Sequence, residues 1–179
     1  MPRMPPLARV SRQLRTEVSP LFFKNCTFEI QLLEAKTRDA EWPRTGWALR
    51  MRPESALFFL ELDAETLATV KKLCVTVDTE HVNFGVVTCS IIIDETGRNF
   101  MVRCTQYQEI PRRRTMMLVA WRPRPNGFAQ LRDVEHTVTD VLAKMAARGG
   151  EGGAKLQLND VYALRKAVER GLWGDVNPQ

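Results

Sequence analysis

Seven arginines crowd one stretch of this 179-residue chain. Residues 101–132 hold Arg103, Arg112, Arg113, Arg114, Arg122, Arg124 and Arg132 against a single acid, Glu109, a net charge of +6. The whole chain carries +5, so the remaining residues sum to −1. Arg112, Arg113 and Arg114 precede the apolar run 116–121, and Arg122 and Arg124 follow it beside Trp121. If that run is a strand, the two arginine groups and the indole can form one patch. Guanidinium groups grip phosphate and carboxylate through paired N–H bonds, which a lysine ammonium cannot copy. The chemistry expected of Arg112, Arg113, Arg114, Trp121, Arg122 and Arg124 is therefore recognition of an acidic protein partner or, as the alternative, of nucleic acid. A solvated loop pair that keeps the domain soluble accounts for the same charge, because basic runs are common on protein surfaces.

Catalytic chemistry has fewer residues to draw on. His81 and His136 are the only histidines. Asp78 lies three residues before His81, close enough in sequence to orient an imidazole, but no motif places a nucleophile beside them. His136 sits two residues before Val138 in a helical pattern and reads as a surface or half-buried residue. Asp94 and Glu95 read as turn residues before they read as paired carboxylates. Cys26, Cys74, Cys89 and Cys104 show no C-x-x-C spacing and no neighbouring histidine, so they are expected to be buried free thiols; a metal or redox role is the alternative. The run Gly149–Lys155 follows a helical pattern rather than a strand and lacks a G-K-[ST] ending, so it is not a phosphate loop. The expectation is a non-enzymatic chain with no cofactor and no metal.

Composition sets the frame for those residues. The chain is 44% apolar, enough for one globular domain over 1–179 that removes about 70% of its unfolded surface from water. No apolar run approaches the roughly 20 residues that cross a membrane. No charged-then-apolar leader opens the chain. The expected setting is intracellular, cytoplasmic or nuclear, with no membrane contact. Asn25-Cys26-Thr27 matches a glycosylation acceptor, which such a setting leaves unmodified.

The elements that must position these residues follow from periodicity. Leu7, Val10, Leu14 and Val18 recur at steps of three and four, the stripe of an amphipathic helix. Ser19-Pro20 predicts a cap and a new helical turn carrying Leu21, Phe22 and Phe23. Cys26 to Ile30 alternates as a strand. Residues 33–53 read as an irregular loop broken by Trp42-Pro43 and closed by Pro53. Two helices are expected over 54–62 and 64–72, the second capped by Asp63 with Thr66, and they feed a strand over 73–77. Val86–Ile93 and Phe100–Thr105 form a hairpin around the turn 94–99, with Val87, Cys89, Ile91 and Ile93 on one face with Phe100, Val102 and Cys104. Met116 to Trp121 is a further strand candidate, stopped by Pro123 and Pro125. A helix over 133–148 buries Val134, Val138, Val141, Leu142 and Met145, and a flexible glycine-rich loop over 149–155 ends it. Asn159 is expected to cap a last helix burying Val161, Leu164, Val168 and Leu172. The order predicts an α+β domain, a mainly antiparallel sheet with helices at the N-terminal and C-terminal ends.

The N-terminal residues also carry a resemblance. Val10, Arg12, Gln13, Leu14, Arg15, Glu17, Pro20, Leu21, Phe22, Phe23 and Phe28 resemble the V-x-R-Q-L-R-x-E-V-x-P-L-F-F block of an uncharacterised fungal domain family that often follows an F-box-like segment. Residues 56–77, with Lys71, Lys72 and Leu73 at the helix-to-strand junction, look like that family's second block. The likeness covers the first half of the chain and fades after residue 80. It implies a protein-interaction role rather than an enzyme. Members usually begin with a segment like F-x-x-L-P-x-E-(I/L)-R, whereas this sequence opens MPRMPPLARV, so a direct ubiquitin-ligase role is not implied.

Overall fold

A computed structural model describes residues 18, 21–36, 47–79, 85–107 and 127–174. The predicted helix over 7–18, apart from Val18, and the predicted strand over 116–121 lie outside them. A helical turn over 21–25 leads into β1 (Thr27–Lys36). Then come β2 (Trp47–Met51), α1 (Pro53–Glu61), α2 (Ala64–Thr69), β3 (Lys72–Thr79), β4 (Gly85–Ile93) and β5 (Phe100–Tyr107). A helical hairpin completes the order: α3 (Gly127–Gly149), a 3-10 turn (Gly150–Gly152) and α4 (Leu158–Trp173). The α+β class holds. The sheet runs β2-β1-β3-β4-β5, with β1 and β3 parallel and every other neighbouring pair antiparallel.

One face of the sheet is apolar at alternate positions, as a half-covered sheet requires. Phe28, Ile30 and Leu32 of β1, Leu49 of β2, Leu73, Val75 and Val77 of β3, and Val87, Cys89, Ile91 and Ile93 of β4 are all buried on it. The helical stripes Val134, Val138, Leu142 and Met145 of α3 and Val161, Leu164, Val168 and Leu172 of α4 join the same core. The residues between them, Glu29, Gln31, Cys74, Thr76, Thr88, Ser90 and Arg103, are half-buried or exposed on the opposite face.

The helical hairpin packs tightly because small residues sit at the crossing. A Cβ on Gly171 of α4 would overlap the backbone of Val134 in α3. Beside it, the Thr137 hydroxyl donates to the Ala167 carbonyl at 2.8 Å. At the linked end, Arg148 holds the buried Asp160 through two bonds of 3.0 and 2.7 Å.

Several boundaries differ from the sequence reading. Residues 33–53 are not irregular throughout: 33–36 continue β1, and Trp47–Met51 returns beside it as β2, registered from Leu32↔Met51 to Lys36↔Trp47. That pairing is tertiary, which local pattern does not report. The second helix stops at Thr69 rather than 72, because Lys72 already pairs with Thr27 and Ile92. The segment 149–155 is not a free loop. The Ala154 N–H donates to the Gly97 carbonyl at 2.7 Å, and Gly153 and Ala154 are buried against the hairpin turn. Asn159 is not the cap of α4. The cap is Gln157, whose backbone N–H donates to Asp160 at 2.8 Å. Asp63 caps α2 as expected, its carboxylate accepting the Thr66 N–H at 2.7 Å and the Thr66 hydroxyl at 2.8 Å.

Candidate functional site

Arg112, Arg113, Arg114, Trp121, Arg122 and Arg124, the expected arginine patch, all lie outside the described residues. Its two flanking arginines are described. Arg103 is exposed on β5 opposite Ser90, and Arg132 is exposed near the start of α3. His81 also lies outside the described residues. Asp78 is half-buried on β3 and registered with Leu33 and Val86. His136 is exposed on α3, with Nδ1 3.5 Å from Asp140 one turn on, a surface arrangement. Among the described residues no three His, Cys, Asp or Glu side chains gather as a metal-holding group. No helix of the described residues is long and apolar enough to cross a membrane.

The helical turn over 21–25, β1 and α1 meet in space. Phe28 of β1 is the hub. Phe23 stacks on it at 5.2 Å between ring centroids, and Phe22 meets it edge-on at 6.0 Å, both from the helical turn over 21–25. From α1, Phe58 stacks on the same ring at 5.6 Å, and Phe59 meets Phe58 edge-on at 5.3 Å. Such ring pairs add about 0.5–1.5 kcal/mol each beyond the burial of their area.

Backbone bonds seat α1 against β1. Where β2 ends, Arg52 N–H donates to the Gln31 carbonyl at 2.8 Å, and Gln31 N–H donates to the buried Ser55 hydroxyl at 3.2 Å. The chain thus satisfies the flank of β1 that β2 leaves open, and Pro53 starts the helix at once.

The seating turns one side of α1 outward. Leu57 and Leu60 are 57% and 54% exposed, and Leu21, one residue before Phe22, is 62% exposed. Glu54, Glu61, Asp63 and Glu65 are exposed on the same helix pair. Hydrogen bonds from the Thr66 backbone and side chain hold the Asp63 carboxyl below its ordinary range. Leucines ringed by carboxylates can dock an apolar segment with a basic border. Sequence reading placed Leu21 against the core and assigned no role to Leu57 and Leu60. Their spacing of three within an apolar helix was the available signal, masked because Phe58 and Phe59 lie between them.

Both outer strands of the sheet are closed by a glutamate from the helical hairpin. On β5, Cys104 N–H donates to Glu135 Oε1 at 2.8 Å. On β2, Leu49 N–H donates to Glu169 Oε2 at 3.0 Å, and its carbonyl accepts from Arg165 at 2.9 Å. Unpaired strand edges invite pairing with other chains, and these contacts occupy the middle of each edge with a side chain. Comparison with models of known families, with curated proteins and with solved structures finds no match.

Proposed function

We propose that this chain is a non-enzymatic protein-interaction domain, akin to the body of the fungal F-box-like-related proteins that its two N-terminal blocks resemble. The observation that carries the reading is the surface those blocks build: Leu57 and Leu60 exposed one turn apart on α1, seated on an aromatic cluster drawn from both blocks. Exposed leucines on a rigidly held helix, bordered by Glu54 and Glu61, suit an amphipathic protein segment with basic flanks.

The test compares the wild type with Leu57→Asp/Leu60→Asp in pull-downs from source-cell lysate, with and without nuclease. Discrete proteins that survive nuclease and are lost by at least tenfold in the variant would support the reading. Equal recovery by a variant with unchanged circular dichroism would overturn it.

A nucleic-acid-associated module is the second reading. It is favoured by the +6 charge over residues 101–132, and Arg112, Arg113, Arg114, Trp121, Arg122 and Arg124 would be its contacts; an acidic protein would suit the same groups. Neutralising Arg112, Arg113 and Arg114 should then weaken binding to a single-stranded oligonucleotide and lower the salt slope by about 2–3. Unchanged affinity and slope would remove it.

A further inference from the structure

We propose that Cys89 and Cys104 are a latent cross-strand disulfide, a modification site that hydrogen peroxide closes across β4 and β5 without rearranging the backbone.

The geometry comes from the hairpin register. Cys89 and Cys104 are direct partners in the ladder, and both face the core. Two independent observations show that they form a non-hydrogen-bonded pair. The Cys104 N–H points away from β4, to Glu135 on α3. Counting from the turn leads to the same place: Asp94 N–H donates to the Asn99 carbonyl, and hydrogen-bonded pairs alternate with non-hydrogen-bonded ones along an antiparallel ladder. Ser90↔Arg103 is then hydrogen-bonded and Cys89↔Cys104 is not. At such positions the Cα atoms approach to about 4.5 Å, inside the range of about 4.4–6.8 Å that a disulfide spans.

The surroundings keep the Cys89 thiol protonated at rest. The partner thiol of Cys104, then burial, pushes the Cys89 thiol up, and the nearby Glu135 charge adds to the shift. Thiolate is the reacting form, so attack by Cys89 is slow. Peroxide is small and uncharged and reaches Cys104 first, because Cys104 is 9% exposed and Cys89 is fully covered. The Cys104 sulfur attacks one peroxide oxygen. The O–O bond breaks, an S–O bond forms, and the departing hydroxide takes the thiol proton and leaves as water. The Cys89 sulfur then attacks the sulfenic sulfur, whose S–O bond breaks as an S–S bond forms and a second water leaves. Two thiols and one peroxide become one disulfide and two waters. Cys26 and Cys74 are half-buried elsewhere. Cys74 lies on the opposite sheet face against Thr76, so neither competes for Cys89 within the ladder.

The test treats folded Cys26→Ser/Cys74→Ser protein with hydrogen peroxide, alkylates the remaining thiols and maps peptides without reduction. Wild-type protein, its links assigned by fragmentation, is treated in parallel in case the double variant folds poorly. The expected result is a peptide joining Cys89 to Cys104, a mass loss of two hydrogens and a higher denaturant midpoint, since the bridge restricts the unfolded chain. Unlinked thiols or sulfinic acid in the folded protein would overturn the proposal. So would a link that forms only in urea, or a bridge that lowers the midpoint.

Discussion

At Asp94, one carboxylate organises a whole turn. Its oxygens accept from the Thr96 hydroxyl at 2.8 and 2.9 Å, the Arg98 N–H at 3.1 Å and the Asn99 side-chain amide at 2.8 Å. Burial alone would raise this acid. The bonds from Asn99, Thr96 and Arg98 outweigh it and hold the pKa at about 2, against an ordinary 3.8. The folded state therefore prefers the ionised form. The resulting stability is present above about pH 4 and is lost as pH falls towards 2. Asp94→Asn should lower the denaturant midpoint at pH 7, and its gap from the wild type should close between pH 4 and pH 2. Midpoints measured across that range check the prediction, and a gap that widens on acidification would contradict it. The same turn presents the Gly97 carbonyl to Ala154, so the residue-scale network also fixes where the link between α3 and α4 sits.

Elements meet here at close range, which makes small changes costly. Alanine in place of Gly171 would gain about 1 kcal/mol of helix propensity. It would also drive a methyl into the Val134 backbone, which cannot step aside as a flexible side chain would. Overpacking costs about 1–3 kcal/mol, so Gly171→Ala should destabilise the protein, by up to about 2 kcal/mol net, in urea unfolding. The outer strands provide a second case. Glu135→Ala leaves the Cys104 N–H without its acceptor at a cost of about 1–3 kcal/mol, and it uncovers the β5 edge. The variant should melt earlier and self-associate as concentration rises, by sedimentation velocity, while Glu135→Gln, which retains a carbonyl acceptor, should remain close to the wild type.

For the molecule as a whole, each surface is assigned by what the fold does with the others. The α3–α4 hairpin covers one sheet face and reaches both outer strands. α1 fills the flank of β1 beyond β2. Among the described residues, the outward side of α1 is then left as an exposed apolar surface, the one on which the interaction reading depends. The sequence by itself determined the periodic parts. The β4–β5 hairpin was legible in its alternation and its polar six-residue turn, the two C-terminal stripes in their helical spacing, and the Asp63 cap in its residue type, because each depends on neighbours close in the chain. The facing of Cys89 and Cys104 followed from the hairpin too, since a turn over 94–99 sets their register. Only the tertiary structure decided the rest. β2 exists because Trp47–Met51 finds the edge of β1. The glycine-rich link is pinned because the hairpin turn offers the Gly97 carbonyl. Gln157 rather than Asn159 caps α4 because Asp160 is held in place by Arg148. Each of these depends on partners distant in sequence or on a competition among caps, and one-dimensional pattern carries no record of which distant group arrives.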